Sequence, residues 1–360
     1  MLSFQRTVVL LLAVLWAGGS SACTICAPAD GQSTLVRQLA AADHIVMAQW
    51  TGRGQARVQA VVRASVTVGT PVGADWAPGL PAPATVHPDD SVLLVMPSGG
   101  SSWQALGYLP LARLPWLRRV AALQPAVPTA EGSQARAELS VDDLEDRYPL
   151  VAQFAYDEIA VQPYAVLRAF ASRMDGKRVA QWVKDDARSA RFPLYYLLLG
   201  LTGADGDAVA LTQQLEQGRR ATHGPELSAM LAAVVALRRD AGLAWVERYY
   251  LAARQTSDAD VQAALLALSV QGTDGAAVSK EQVVAAYARY IVRNPHRAGF
   301  VASDLANWGR WEFAEAFGAA LRSGDTQVFS SRYAMVFYLL RNPRPQAKAL
   351  VETLRAEKLM

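Results

Sequence analysis

The chain has 360 residues, 52% of them hydrophobic, which excludes a disordered polymer and leaves room for two domains with full-sized cores. Its 35 basic and 32 acidic residues leave a formal charge of +3, a balance that gives no strong field for nucleic acid or an anionic membrane. Two cysteines in the whole sequence allow at most one intramolecular disulfide.

Arg6 supplies a short positive segment, residues 7–17 an apolar one, and Ser20-Ser21-Ala22 a small-residue cleavage site. This is the pattern of an export signal over residues 1–22. Its apolar part is shorter than the roughly 20 residues that a spanning helix needs. The expectation is an exported protein, periplasmic or secreted, associated with a membrane only if Cys23 is lipidated or the signal stays uncleaved. Cleavage after Ala22 would make Cys23 the first residue of a Cys23-Thr24-Ile25-Cys26 motif. An oxidising compartment favours a Cys23–Cys26 disulfide, although so short a loop contributes only about 2 kcal/mol. Thiol–disulfide exchange or metal binding by the pair, and lipid attachment at Cys23, are the alternatives. No thioredoxin-like pattern surrounds the pair, and Ala27 stands where a haem-attachment motif has His. Ser20 stands where a lipidation signal has an apolar residue.

Ser33 reads as the N-cap of a helix with Leu35, Val36 and Leu39 on one face, closed by Asp43. Residues 44–50 read as a buried strand, followed by a turn through Gly52 and Gly54. An alternating segment comes next, with Val58, Ala60 and Val62 on one side and Gln59 and Arg63 on the other. The Pro- and Gly-rich span 71–88 is a loop or carries one short strand, and residues 91–96 and 103–109 are further strands. Residues 23–125 are thus expected to form a small β-rich, barrel-like or sandwich domain. The Cys motif at the mature N-terminus, with a strand-rich segment behind it, resembles the barrel of netrin and tissue-inhibitor-of-metalloproteinases type. Those proteins open with Cys-x-Cys and carry many more cysteines. The resemblance implies a barrel fold and a protease-inhibitor-like binding role for the N-terminus.

Residues 126–139 are expected to be a linker and 140–360 a helical domain, opened by Ser140-Val141-Asp142-Asp143 as a capping sequence. Apolar runs begin near Leu194, Leu227, Val261, Phe300 and Tyr333, roughly 33 to 39 residues apart, the spacing of a two-helix solenoid repeat. Residues 148–159 and 163–174 form a first helix pair. Ser257-x-x-Asp260 and Ser279-x-x-Gln282 mark helix starts, as do Gly224-Pro225 and Asn294-Pro295, while Gly200, Gly203, Gly272 and Gly324 mark stops. Tyr156-Asp157-Glu158-Ile159-Ala160 and the run from Arg191 to Gly200 resemble exported bacterial proteins with HEAT-like repeats. That resemblance implies an α-helical superhelix and brings no chemistry with it. The fold class expected is therefore α+β, a β-rich domain followed by a HEAT-like superhelical array.

Catalytic signals are sparse. His44, His87, His223 and His296 are scattered; His44 reads as a hydrogen-bonded core histidine, and His223 and His296 as surface residues. Ser98-Gly99-Gly100-Ser101-Ser102 lacks the flanking residues of a nucleophile elbow or phosphate loop and reads as a connection. Asp157-Glu158 and Asp185-Asp186 are adjacent on helices, so their carboxyls diverge by about 100° and belong on solvated faces. The basic stretch from Arg168 to Arg191 is interrupted by Asp175, Asp185 and Asp186 and reads as a mixed surface. Tyr195, Tyr196, Tyr249, Tyr250, Phe313, Phe317, Tyr333, Phe337 and Tyr338 fall at core spacing, with Trp308 and Trp311 as candidates for a concave face. No catalytic, cofactor or metal residue is assigned. The expected function is a non-catalytic binding or scaffold protein of the bacterial cell envelope that takes a protein or peptide on its concave helical face, not nucleic acid.

Overall fold

The computed structural model describes residues 34–52, 54–75, 87–125, 129–218, 224–253, 256–323 and 328–360. The chain is α+β, a five-stranded sheet followed by a predominantly helical region. It divides into two compact units, one ending at Gln162 and one running from Pro163 to Met360. Residues 1–22, expected to be an export signal, and Cys23, Cys26, Ser33, His223 and Gly324 lie outside the described residues.

In the first unit, α1 (Leu35–Ala40) is capped by Thr34, not Ser33, whose Oγ1 accepts the N–H of Arg37 at 3.4 Å. Leu35, Val36 and Leu39 are buried as expected. Asp43 does not close that helix; it lies in β1 (Ala42–Gly52) and accepts a hydrogen bond from the Ser98 hydroxyl at 2.7 Å. Then come β2 (Gln55–Arg63), β3 (Pro71–Asp75), β4 (Asp90–Pro97) and β5 (Trp103–Pro110). The β1–β2 turn needs positive φ at Gly52 (99°) and Gly54 (73°), which glycine adopts at little cost. β1 pairs antiparallel with both β2 and β4; β2 continues to β3 and β4 to β5, and β3 meets β5 in parallel. The strand order β1-β2-β3-β5-β4 therefore closes on itself through the short β3.

Both faces of this sheet are buried, which is why β1 and β4 carry continuous apolar runs instead of alternation. Val46, Ala48, Val92 and Leu94 join Trp103, Ala105 and Tyr108 in one cluster. Ile45, Met47, Leu93 and Val95 join a second one, completed by α1, α2 (Leu114–Ala121) and α4 (Pro149–Ala160). There Trp116 meets Phe154 edge-on, with centroids 5.2 Å apart. In β2 the expected single face is broken. Met47 pairs with Ala60 and Ala48 with Val58, so Gln59 is an extra residue and the strand changes cores across it.

The stretch expected as a linker is helical from Ala130, forming α3 (Ala130–Ser140). Ser140 ends that helix; only a 3-10 turn, Val141–Asp143, follows, and the Ser140 hydroxyl does not cap it but donates to the carbonyl of Arg136 at 2.8 Å. Glu158, read as solvent-facing, is instead 4% exposed and pairs with Arg136 at 2.6 Å. Its spacing from Ala155 and Ile159 on α4 carries it inward, where the pair ties α4 to α3. Asp157 accepts from Gln153 at 2.7 Å.

The second unit contains α5 (Tyr164–Ala169), α6 (Gly176–Trp182), α7 (Phe192–Thr202), α8 (Asp205–Gly218), α9 (Gly224–Val246) and α10 (Asp258–Asp274). It continues with α11 (Lys280–Arg293), α12 (Ala302–Asn307), α13 (Ala314–Arg322), α14 (Phe329–Arg341) and α15 (Pro345–Ala356). Each apolar helix packs on the next: α7 on α9, α9 on α10, α10 on α11, and α14 on both α13 and α15. Ser279 and Gln282 form the expected reciprocal capping box, and Ser257 accepts the N–H of Asp260. Gly203 caps α7, but Gly200 is inside it, where a Cβ would come within 2.8 Å of Ala233 Cα on α9. Gly272 likewise lies inside α10, against the Trp308 ring. Both glycines serve close helix approach, not termination.

The Arg136–Glu158 pair gives a direct test. Glu158→Ala leaves a buried guanidinium unpaired and is expected to cost about 3–5 kcal/mol. The double change Arg136→Met with Glu158→Leu is expected to restore most of that stability. Urea unfolding of both variants checks this; equal stability of Glu158→Ala and wild type would place the pair in solvent.

Candidate functional site

Helix α14 reads Phe-Ser-Ser-Arg-Tyr-Ala-Met-Val-Phe-Tyr-Leu-Leu-Arg, too many apolar residues for one covered stripe. One face is core: Ser331, Met335, Tyr338 and Leu339 are essentially inaccessible. The Tyr338 hydroxyl donates to the carbonyl of Arg310 and accepts the N–H of Phe313. Phe329, Tyr333, Phe337 and Leu340, spaced four, four and three apart, fall within about 80° of one another on the other face. They are 82%, 64%, 46% and 52% exposed. Tyr333 and Phe337 stack with centroids 6.4 Å apart and planes 11° apart, and the Arg341 guanidinium lies 5.4 Å over the Phe337 ring.

The flank of this row is basic. From residue 328 to the C-terminus the chain carries Arg332, Arg341, Arg344, Lys348, Arg355 and Lys358 against only Glu352 and Glu357. Those two carboxylates are engaged by Arg355 and Arg322, at 2.9 and 2.8 Å. A groove of about 380 Å³ runs between α14 and α15, floored by Leu339, Leu340 and Val351 and edged by Lys348, Arg355 and Glu352. The result is an aromatic ridge beside an apolar groove with cationic edges.

A second unusual feature lies within α9. Arg239 has φ 52° and ψ −126°, a conformation that glycine favours and that costs another residue on the order of 1–3 kcal/mol. The chain folds back there. A Cβ at Gly242 would come within 2.5 Å of the Val234 carbonyl oxygen, although eight residues of straight helix span about 12 Å. Arg239 lines a cleft with Tyr164, Arg168, Gly200 and Gln271.

Other residues singled out in the sequence fall apart from these places. His44 is half-buried against Trp103, centroids 6.0 Å apart, and its Nδ1 has no hydrogen-bond partner among the described residues. His87 is exposed beside Asp89, and residues 98–102 form the turn from β4 to β5. Asp185 accepts the N–H of Ala187 and pairs with Arg188. Within the basic stretch Arg168 donates to the carbonyl of Asp274 and borders the α9 cleft, and Arg178 sits over Trp182. Tyr195, Tyr196, Tyr250, Phe317 and Tyr338 are core as expected, whereas Tyr333 and Phe337 are not. Trp308 stacks on Tyr287 and donates to Thr273, a structural role. Among the described residues no group of three metal-capable side chains converges, and no helix is long and apolar enough to cross a membrane. No family model, curated protein or solved structure matches the chain.

The α14 row is expected to add little to stability. Tyr333→Ser with Phe337→Ser is expected to shift unfolding by no more than about 0.5 kcal/mol per site. Phe317→Ala, fully buried under the same helix, is expected to cost about 3–5 kcal/mol. Urea titrations of the variants side by side make the comparison; a comparable loss at 333 and 337 would mean the row is covered within the monomer.

Proposed function

We propose that the chain is a non-catalytic binding or scaffold protein of the bacterial cell envelope that docks a protein partner on the α14 row. The single observation carrying this reading is the four-residue apolar ridge left in water on a helix whose opposite face is core. Exposed aromatics clustered beside an apolar groove are what protein recognition sites use as anchors. The basic flank commits the partner's chemistry: an amphipathic segment with apolar residues for the ridge and acidic residues for the edges. A second copy of the chain would bring Arg341 and Lys348 against a like-charged edge across the same surface, which opposes self-pairing.

In this reading the second unit is a HEAT-like array and α14 belongs to its last pair, supported by the helix-on-helix order from α7 to α15. The first unit is a small barrel of the kind that the sequence resembles, supported by its closed strand order. The exported location rests on the leader-like residues 1–22, and with it the Cys23–Cys26 disulfide.

The test is photocrosslinking in the native host, with a photoreactive residue at Tyr333 and, as control, at Val209, an exposed apolar position on α8. The expected result is one protein crosslinked from 333 and not from 209, through a segment rich in acidic and apolar residues, and lost on Leu340→Glu. Crosslinks only to a second copy, only to lipid, or none above the 209 control would overturn the proposal.

A further inference from the structure

The turn inside α9 is held from several sides. Gly242 brings the returning helix against the backbone of Val234 and Val235, and Asp240 accepts a hydrogen bond from the Gln282 side chain at 2.7 Å. A glycine would take the conformation of residue 239 without strain. What arginine adds there is its guanidinium, and the residue borders a cleft of about 220 Å³.

Arg168 of α5 lines the same cleft and donates to the carbonyl of Asp274 at 2.6 Å. The Asp274 carboxyl is also near Arg168; burial pushes it up, while the Ala165 N–H, Arg168 and Lys280 favour its charge. Gln271 also lines the cleft and is 1% exposed. Its Nε2 donates to the carbonyl of Ala232 at 3.1 Å and lies 3.4 Å from the Tyr164 hydroxyl, but its Oε1 has no hydrogen-bond partner. That oxygen sits beside Gly275, next to Ala276 on the cleft wall, where any side chain at 275 would collide with it. A buried acceptor left unsatisfied is costly and calls for a donor.

We propose that this cleft is a binding site for a small oxyanion that also carries a hydrogen-bond donor. Two guanidiniums are suited to a carboxylate or phosphate group, and Gln271 Oε1 is suited to a hydroxyl or ammonium on the same molecule. The volume of about 220 Å³ suits a hydroxy-acid, an amino acid or a phosphate. The site lies on elements other than α14, so it stands or falls independently of the docking surface.

The experiment uses the full chain, titrated calorimetrically at constant ionic strength with lactate, inorganic phosphate and acetate, on wild type and Arg239→Gly. Saturable binding of lactate or phosphate is expected, with acetate, which lacks the donor, weaker by about tenfold. Arg239→Gly is expected to raise Tm, because strain is relieved, yet lose about tenfold or more in affinity for the bound anion. A higher Tm in that variant also shows that it folds. No saturable binding of lactate or phosphate by wild type, or equal affinity in Arg239→Gly, overturns the site. Equal binding of acetate and lactate overturns the part given to Gln271.

Discussion

Between Leu227 and Val235, α9 has no exposed side: Leu227, Met230, Leu231, Val234 and Val235 are at most 2% exposed, as are the alanines between them and Ser228, the one polar residue of the stretch. A helix apolar all round must be enclosed all round. It is enclosed by α7 on one side and α10 on another, and these are apolar enough to need further neighbours themselves. Small residues set the spacing. Gly200 and Ala233 let α7 and α9 approach until a single added Cβ would clash, so side chains from both helices interdigitate at short range. Burial of each large aliphatic chain here is worth about 1.5–3 kcal/mol. The rest of the second unit is the consequence of satisfying this one helix in turn.

The first unit solves a similar problem with a sheet. Its two apolar faces need two separate cores, and the bulge at Gln59 lets one strand serve both. The buried charges are paired between elements. Arg113 pairs with Asp143 and Asp146, and Arg136 pairs with Glu158. Burial nevertheless pushes the Asp143 carboxyl up, with Arg113 opposing. Two features of the second unit, the ridge on α14 and the acceptor of Gln271, are where ligands are proposed.

Most elements were legible from residues that act locally. The Ile45–Ala48 run, the Gly52/Gly54 turn, the Ser279/Gln282 box and the α9 apolar block each declare their structure without reference to distant neighbours. What was not legible depended on partners far along the chain. Glu158 looked like half of a solvated acidic pair, because Arg136 lies 22 residues away. Gly200 and Gly272 looked like helix stops, because the helix and ring they make room for are elsewhere. Arg239 hid its turn, since Arg-Arg-Asp carries no glycine or proline at the bend and Gly242 follows three residues late. On α14 the periodicity gives two apolar stripes, and no local signal says which one the fold covers.

Hydrogen exchange across the chain tests the organising role of α9 most directly. If the second unit is built around that helix, the amides of residues 229–235 exchange slowest within it, together with those of 194–199 on α7, and open only with the whole unit. Exchange at 229–235 as fast as at the chain's C-terminal helix α15 would contradict the account.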